Sequence, residues 1–165
     1  SLTGHLVLST LHTKSSFESV ERLLNIGVER YDLAAAIDVI IAQRLVRKLC
    51  TNCRTSWDRS KILEHPAMKT SVEKFWETLS QTDDFFVRWP GCNQCGRTGY
   101  HGRTGIFEVL AVTESMRELI RTWATNRQLR ELAVKEGFYT FQDDALLKVL
   151  QGVTDLDELY RVIEF

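Results

Sequence analysis

Four cysteines in two matched pairs are the residues of this sequence best suited to chemistry. Cys50 and Cys53 form one C-x-x-C pair, Cys92 and Cys95 form the other, and residues 54–91 separate the two pairs. Each pair can place two thiolates on one ion from a single tight turn, so the two pairs supply the tetrahedral four-sulfur set that zinc prefers. Four sulfurs leave no open position for a reacting water, so the pattern predicts a structural zinc ion.

Other interpretations of the cysteines fit the sequence less well. A secreted disulfide scaffold is disfavoured because cysteine is sparse in these 165 residues, and because we expect neither a secretory signal nor a membrane span. A thioredoxin-like redox site needs one C-x-x-C pair and not two matched ones. His101, shortly after Cys95, stays open as a replacement for one sulfur ligand.

The composition predicts a soluble globular protein that has no affinity for nucleic acid. Hydrophobic residues make up 44% of the chain and charged residues 26%, and the formal net charge is −1. A near-zero charge does not attract a polyanion, which disfavours the alternative of a zinc-ribbon nucleic-acid-binding module. The basic cluster of Arg44, Arg47, Lys48 and Arg54 has two open interpretations, which are a phosphate-binding surface and a solvated or salt-bridged strand face.

Two predicted strands carry the cysteine pairs. The apolar residues after Ile40 predict a strand that ends at Cys50, and residues 106–112 predict the next strand after Cys95. The glycines between Cys95 and the second strand are typical of turns. The segment between the cysteine pairs is therefore predicted to project from the tip of a hairpin.

A short apolar run near the start of the sequence predicts a third strand. Residues 4–13 read GHLVLSTLHT, and the leucines and valine fit a strand that is buried on both faces. His5 and His12 flank the apolar run. Ligands gather at the carboxyl ends of strands in open α/β sheets, so His12 lies where a ligand is expected, and a structural contact is the alternative.

Most of the remaining chain is predicted to be helical, with four short helices after residue 112 that pack as a small bundle on the sheet. Hydroxyl and carboxylate side chains that accept hydrogen bonds from a first helical turn mark the helix starts. The predicted caps are Ser15, Asp32, Thr113 and Thr125, and the last helix is predicted to begin at Thr154. Between the cysteine pairs we predict a helix over residues 72–79 and a small aromatic core. The residues of this core are Trp57, Trp76, Phe85, Phe86 and Trp89.

Four stretches of the sequence resemble the C-terminal part of the ATPases of the type II secretion and type IV pilus-assembly superfamily. GHLVLSTLHT at residues 4–13 resembles the histidine box of this family, and IAQRLVRKLCTNC at 41–53 resembles the start of its tetracysteine region. GCNQCGRTGYHGRTGIFEVL at 91–110 resembles the second half of that region and the strand beyond it. Residues 137–163 resemble the C-terminal helices of the family.

The resemblance implies an α/β fold, namely the C-terminal part of a RecA-like ATPase sheet with an inserted tetracysteine zinc-binding module and a C-terminal helical bundle. On this basis, residues 1–49 are expected to be the remainder of the ATPase core. Residues 50–104 are expected to form the zinc-binding module, and residues 105–165 to form a strand and the helical subdomain.

The resemblance further implies a cytoplasmic hexamer, peripheral to the inner membrane and docked on the inner-membrane proteins of the secretion platform. Its expected activity is the ATP hydrolysis that powers type II protein secretion by pseudopilus assembly. The corresponding region of a type IV pilus-extension ATPase is the alternative. Pilus-retraction members generally lack the tetracysteine module, so the four cysteines favour secretion or extension.

Site residues follow from the resemblance position by position. His5 and His12 are expected near the nucleotide in the full-length protein, and the four cysteines are expected to be zinc ligands. Lys14 stands where the family usually has Asn after the His-Thr of the box, which departs from the pattern. The family places its Walker A and Walker B motifs upstream of these stretches, so we expect a fragment that does not hydrolyse ATP alone. ATP and Mg²⁺ are expected as cofactors of the full-length protein only.

Overall fold

The computed structural model describes residues 4–57, 85–87 and 90–163 of the chain. The helices of these residues are α1 (Ser16–Asn25), α2 (Arg30–Ala36), α3 (Glu114–Arg121), α4 (Asn126–Lys135), α5 (Phe141–Leu150) and α6 (Leu156–Val162). The strands are β1 (Val39–Leu49), β2 (Thr55–Trp57), β3 (Phe85–Val87) and β4 (Tyr100–Ala111), and a 3-10 turn covers Asn93–Cys95. No helix among the described residues combines the length and the apolar character that crossing a bilayer requires.

The strands pair as β1 with β4 and β2 with β3. At one end of the first pair, the Cys50 N–H donates to the Gly99 carbonyl at 2.9 Å, and at the other end the Val112 N–H donates to the Asp38 carbonyl at 2.8 Å. The early end of one strand therefore meets the late end of the other, so β1 and β4 run antiparallel. The predicted hairpin is confirmed, with one cysteine pair following β1 and the other preceding β4.

The described residues of 1–42 and 107–140 form one compact unit, called unit 1 here. Helices α1 to α4 surround an apolar core, in which the rings of Phe17 and Phe138 meet edge to face with their centroids 5.1 Å apart. The buried core residues of unit 1 are Phe17, Val20, Leu33, Ala34, Leu110, Val112, Met116, Ile120, Leu129, Ala133 and Phe138.

The described residues of 43–106 and 141–163 belong to a second compact unit, unit 2. It contains α5, α6, most of β1, the first part of β4 and both cysteine pairs. Its buried apolar residues include Val46, Leu49, Ile106, Leu146, Leu150 and Leu159. The Leu49 N–H donates to the Val153 carbonyl at 2.8 Å, which ties the end of β1 to the turn between α5 and α6.

Three predicted helix caps are confirmed. The hydroxyls of Ser15, Thr113 and Thr125 each accept a hydrogen bond from the backbone N–H three residues later, as an N-cap does. At the start of α4 the bond is reciprocal, because the side-chain carbonyl of Gln128 accepts from the Thr125 N–H at 2.9 Å. Local sequence chemistry therefore sets the starts of α1, α3 and α4.

One predicted cap and one predicted helix start are wrong. Asp32 lies inside the first turn of α2 and not before it. The last helix begins at Leu156 and not at Thr154, since the Asp155 carboxylate caps α6 by accepting from the Glu158 N–H at 3.0 Å. A carboxylate is the better partner for the positive end of a helix, which explains why Asp155 takes this role. The buried Thr154 hydroxyl has no hydrogen-bond partner among the described residues.

The strand predicted for residues 4–13 is also wrong for the described chain, where these residues adopt no regular structure. Leu6 and Leu8 are 86% and 87% exposed, so the run is not buried on either face. A buried strand needs hydrogen-bonded neighbours, and no described strand pairs with this segment. Apolar composition alone therefore did not determine the conformation.

The described residues form a mixed α/β fold with two small sheets and six helices. A single bundle of the last four helices is not confirmed, because α3 and α4 belong to unit 1 whereas α5 and α6 belong to unit 2. The helix predicted for residues 72–79 lies outside the described residues. The same holds for the side chains of the predicted aromatic core.

Candidate metal centre

The sulfur atoms of all four cysteines lie close together in unit 2. The ligand atoms of this four-cysteine cluster (Cys50, Cys53, Cys92 and Cys95) all lie within 4.8 Å of one another. The Sγ–Sγ distances are 3.9 Å for Cys50–Cys92, 3.8 Å for Cys53–Cys95 and 3.9 Å for Cys92–Cys95. No pair is bonded as a disulfide, and all four cysteines are free. The cluster thus confirms that the two pairs converge.

The spacing of the sulfurs fits a tetrahedral ion. Metal–sulfur bonds of about 2.3 Å in a regular tetrahedron place neighbouring sulfurs about 3.8 Å apart. The three distances of 3.8–3.9 Å match this value. A disulfide would instead need sulfurs about 2 Å apart. The residues present can therefore hold one four-coordinate metal ion.

The first cysteine pair lies in a tight turn directly after β1. The Cys50 carbonyl accepts from the N–H groups of Cys53 and Arg54, at 3.2 and 2.9 Å, which brings both sulfurs to the same side of the turn. The Arg54 guanidinium donates to the Gly152 carbonyl at 2.7 Å. The turn is therefore held by its own backbone and by the segment between α5 and α6.

The second pair lies in the 3-10 turn before β4. The Arg97 N–H donates to the Cys92 carbonyl at 2.9 Å, which closes the turn. Gly91 has φ +106, and a Cβ atom there would lie 2.3 Å from the Arg97 carbonyl carbon. Only glycine fits such a close approach of two backbones. Gly91 is thus required for the geometry of the turn.

Hydrogen-bond donors contact the sulfurs of Cys92 and Cys95 and favour their thiolate forms. The N–H groups of Cys92 and Gly99 donate to the Cys95 sulfur at 3.2 and 3.3 Å, and the Asn52 amide donates to the Cys92 sulfur at 3.3 Å. Neither Asn52 nor Gly99 was predicted from the sequence to contact the sulfurs. Their only sequence signal is position, since Asn52 lies between the first two cysteines and Gly99 lies four residues after the last one.

The pKa values of the Cys53, Cys92 and Cys95 thiols are shifted in different directions. Backbone hydrogen bonds, first from Cys92 and then from Gly99, overcome burial and lower the pKa of Cys95 to about 6. The Asn52 amide is the main cause that lowers the pKa of Cys92. Burial, together with the neighbouring sulfurs, raises the pKa of Cys53 to about 12. The protein alone therefore does not favour four thiolates, and a bound cation would supply the charge that they need.

Residues 1–161 match the family of type II/IV secretion system proteins. Over 164 residues the chain is 39% identical to the type IV pilus assembly ATPase PilB of Pseudomonas aeruginosa. This alignment covers 97% of the chain and 27% of PilB. Over 162 residues it is 37% identical to the type II secretion system ATPase E of Vibrio cholerae. This alignment covers 98% of the chain and 30% of ATPase E. The chain belongs to the type II/IV secretion system protein family.

This membership confirms the resemblance seen in the sequence. A type IV pilus assembly ATPase PilB from Thermus thermophilus is also similar, with 36% identity over 164 residues, 99% of this chain and 18% of that protein. The chain spans less than a third of the length of these type II/IV secretion relatives. Relatives from secretion and from pilus assembly are about equally similar, so identity does not separate the two systems.

The histidines of the predicted histidine box lie in unit 1, apart from the four-cysteine cluster in sequence. His5 and His12 are both exposed and belong to the irregular segment before α1. Besides the Ser15 cap, the start of α1 has a long-range contact that was not predicted from the sequence. The buried Glu108 carboxylate accepts from the backbone N–H and the hydroxyl of Ser16, at 2.5 and 2.8 Å. His101, the alternative metal ligand, is exposed on β4 and is not in the metal-binding set.

Proposed function

We propose that this chain is the zinc-bearing C-terminal region of the ATPase that powers type II protein secretion by pseudopilus assembly. The observation that carries the proposal is the match of residues 1–161 to the type II/IV secretion system protein family, and the 37% identity to the type II secretion system ATPase E over 98% of the chain supports the secretion system. The 39% identity to a type IV pilus assembly ATPase supports a second candidate, the same region of a pilus-extension motor. Both candidates make the chain part of a motor and not a nucleic-acid-binding module.

Zinc is the proposed metal, with Cys50, Cys53, Cys92 and Cys95 as its ligands. Sulfur donors, tetrahedral spacing and the absence of an open position favour zinc in a structural role. When bound, the ion supplies a crosslink and no reactive site. The chain's own residues position the sulfurs through the two turns, the Asn52 amide and the Gly99 N–H.

The nucleotide-related roles belong to the longer protein. We place His5 and His12 near the nucleotide there, where an imidazole can sense or relay the state of the γ-phosphate. Glu108 would hold the start of α1, directly after this segment, through its bonds to Ser16. The sequence contains no G-x-x-x-x-G-K-[ST] loop, so this chain alone is expected not to hydrolyse ATP.

The proposed setting is a cytoplasmic hexamer, peripheral to the inner membrane and docked on inner-membrane proteins of the secretion platform. The proposed division is an ATPase-core remainder at 1–49, a zinc-binding module at 50–104 and a helical subdomain at 105–165. Support for the setting comes from the family membership. Support for the module comes from the convergence of its cysteines at both ends.

Chimeric motors test the proposal directly. The chain replaces the matching segment of the type II secretion ATPase E of Vibrio cholerae in one chimera and of PilB of Pseudomonas aeruginosa in a second, each in a strain that lacks its own ATPase. Protein secretion and pilus formation are then measured. Restored secretion is expected, with loss on substitution of Cys50 and Cys92 by Ser. Restored pili without secretion would favour the second candidate.

Failure of both chimeras, with each protein stably expressed and loaded with zinc, would contradict the motor assignment. A His12→Ala variant of the secretion chimera tests the histidine role, and reduced ATP turnover is expected. Unchanged ATP turnover would contradict the proposed role of His12 at the nucleotide. A salt-dependent gel shift of the isolated chain tests the nucleic-acid alternative, for which we expect no shift.

A further inference from the structure

Unit 2 contains a groove of about 340 Å³ that is lined by arginines. We call it the arginine groove, and its described lining residues are Leu45, Arg47, Arg103 and Arg161. These residues come from β1, β4 and α6, which are well separated along the chain. The described lining includes no acidic side chain. The groove is thus a positively charged concavity whose role the family membership does not explain.

A buried carboxylate holds two of these arginines in fixed positions. Glu158 is fully buried, and its oxygens accept from Nε and Nη2 of Arg47 at 2.8 and 2.6 Å and from Nε and Nη2 of Arg161 at 2.8 and 2.5 Å. The Arg47 guanidinium also lies 4.1 Å from the centroid of the Tyr100 ring. Two guanidinium groups that would repel each other are thereby kept together.

Part of each guanidinium stays available for a ligand. Within the described residues, Nη1 of Arg47 and Nη1 of Arg161 make no hydrogen bond, since both arginines bind Glu158 through Nε and Nη2. The exposed Arg103 has no partner among the described residues. Three guanidinium charges against one carboxylate leave a net charge of about +2 around the groove.

The basic cluster that was predicted from the sequence contributes only in part to this groove. Arg44 donates to the Val162 carbonyl at 2.5 Å and Arg54 donates to the Gly152 carbonyl at 2.7 Å, so both have structural roles. Of the cluster, only Arg47 lines the arginine groove. The groove is therefore assembled by the fold from residues that are distant in sequence.

We propose that the arginine groove binds an organic phosphate. A phosphate monoester carries a charge of about −1.5 to −2 at pH 7, which matches the uncompensated charge of the groove. The planar N–H fork of arginine fits phosphate oxygens in pairs. The volume falls in the range of about 300–1,000 Å³ that is typical of ligand sites, so it exceeds the needs of phosphate alone. Leu45, which is 49% exposed, offers an apolar wall for the organic part.

Binding of phenyl phosphate to the zinc-loaded chain, measured by calorimetry and by NMR at constant ionic strength, tests this proposal. Saturable one-to-one binding is expected, weaker binding of inorganic phosphate, and much weaker binding of glutarate, which carries two carboxylates and no phosphate. A glutamate-rich peptide is included as a competitor. Tighter binding of the peptide than of phenyl phosphate would overturn the proposal and point to an acidic protein partner.

Substitution of Arg103 by Gln is the matched test in the protein. Because Arg103 has no described partner, Arg103→Gln should leave the melting temperature unchanged while weakening phenyl phosphate binding at least tenfold. Arg22→Gln removes the same charge from an exposed position of α1 in unit 1 and should not change binding. Equal effects of the two variants, or no saturable binding to the unaltered chain, would refute the proposal. None of these outcomes depends on motor activity.

Discussion

Removal of the metal from the four-cysteine cluster should destabilise the chain by a predictable amount. The ion links Cys50 and Cys53 to Cys92 and Cys95, and so closes a loop that runs from residue 50 to residue 95. In the chain-entropy treatment of crosslinks, closing a loop of that length lowers the conformational entropy of the unfolded chain. The free energy of the unfolded state rises by about 4 kcal/mol at 25 °C as a result. For a chain of this size, 4 kcal/mol corresponds to a fall of about 8–16 °C in melting temperature.

The assay is a set of melting curves recorded by circular dichroism with the metal content measured in parallel. The as-purified chain should contain one zinc ion, and a strong chelator should lower its melting temperature into the range given above. Adding zinc should restore the original curve. The variant with Cys50→Ser and Cys92→Ser should melt at the lower temperature with or without chelator, which separates metal loss from direct effects of the chelator.

Cobalt provides a check on geometry that does not depend on stability. Co²⁺ bound by four thiolates in a tetrahedron has intense absorption bands that a six-coordinate ion lacks. These bands are expected after exchange of the metal, and they should be lost in the double variant. A chain that holds no metal after purification in zinc-containing medium, and that melts identically with and without chelator, would refute the reasoning.

Three further predictions concern the remaining described residues and the activity of the chain. Burial alone would raise the pKa of Glu158, but the bonds from Arg161 and Arg47 lower it to about 2. The free energy of unfolding should therefore fall by about 3 kcal/mol as the pH drops from about 4.5 to about 2, and Glu158→Gln should remove this dependence in denaturant titrations. Thr154→Val should raise stability by about 1 kcal/mol, because it removes a buried hydroxyl without a described partner, whereas the control Thr113→Val should lower it by about 1 kcal/mol by removing a cap. An unchanged or lower stability of Thr154→Val would show that the hydroxyl is bonded. Finally, the purified chain should hydrolyse no ATP above a blank, and a rate that co-purifies with the protein through several columns would contradict this.

Features that depend on neighbouring residues were predictable from the sequence. The caps at Ser15, Thr113 and Thr125 depend on a side chain and a backbone group three residues apart, so the sequence contains all the information needed. The cysteine pairs were predictable for the same reason, because the two cysteines of each pair lie in one turn and four sulfurs complete the coordination of one ion. For these features, short-range geometry was sufficient.

Features that depend on distant partners were not predictable. Glu158 looks like an ordinary first-turn acid in the sequence, yet its contacts with Arg47 span more than a hundred residues. Glu108 lies within an apolar strand, and only the fold brings it to Ser16. The start of β4 at Tyr100 was missed because Gly102 and Gly105 resemble turn residues, although both lie within the strand that pairs with β1.

The convergence of the cysteines has a practical consequence for protein engineering. Cys53 precedes the segment 54–91, Cys92 follows it, and all four sulfurs lie within 4.8 Å of one another, so the chain leaves and re-enters the hairpin at nearly the same place. A guest sequence whose own termini are close together can therefore replace the part of this segment between Arg54 and Gly91, two residues that hold the turns, without changing the separation of β1 and β4. The position is suited to a fluorescent reporter or an affinity tag, which would label the protein while both of its ends remain unaltered.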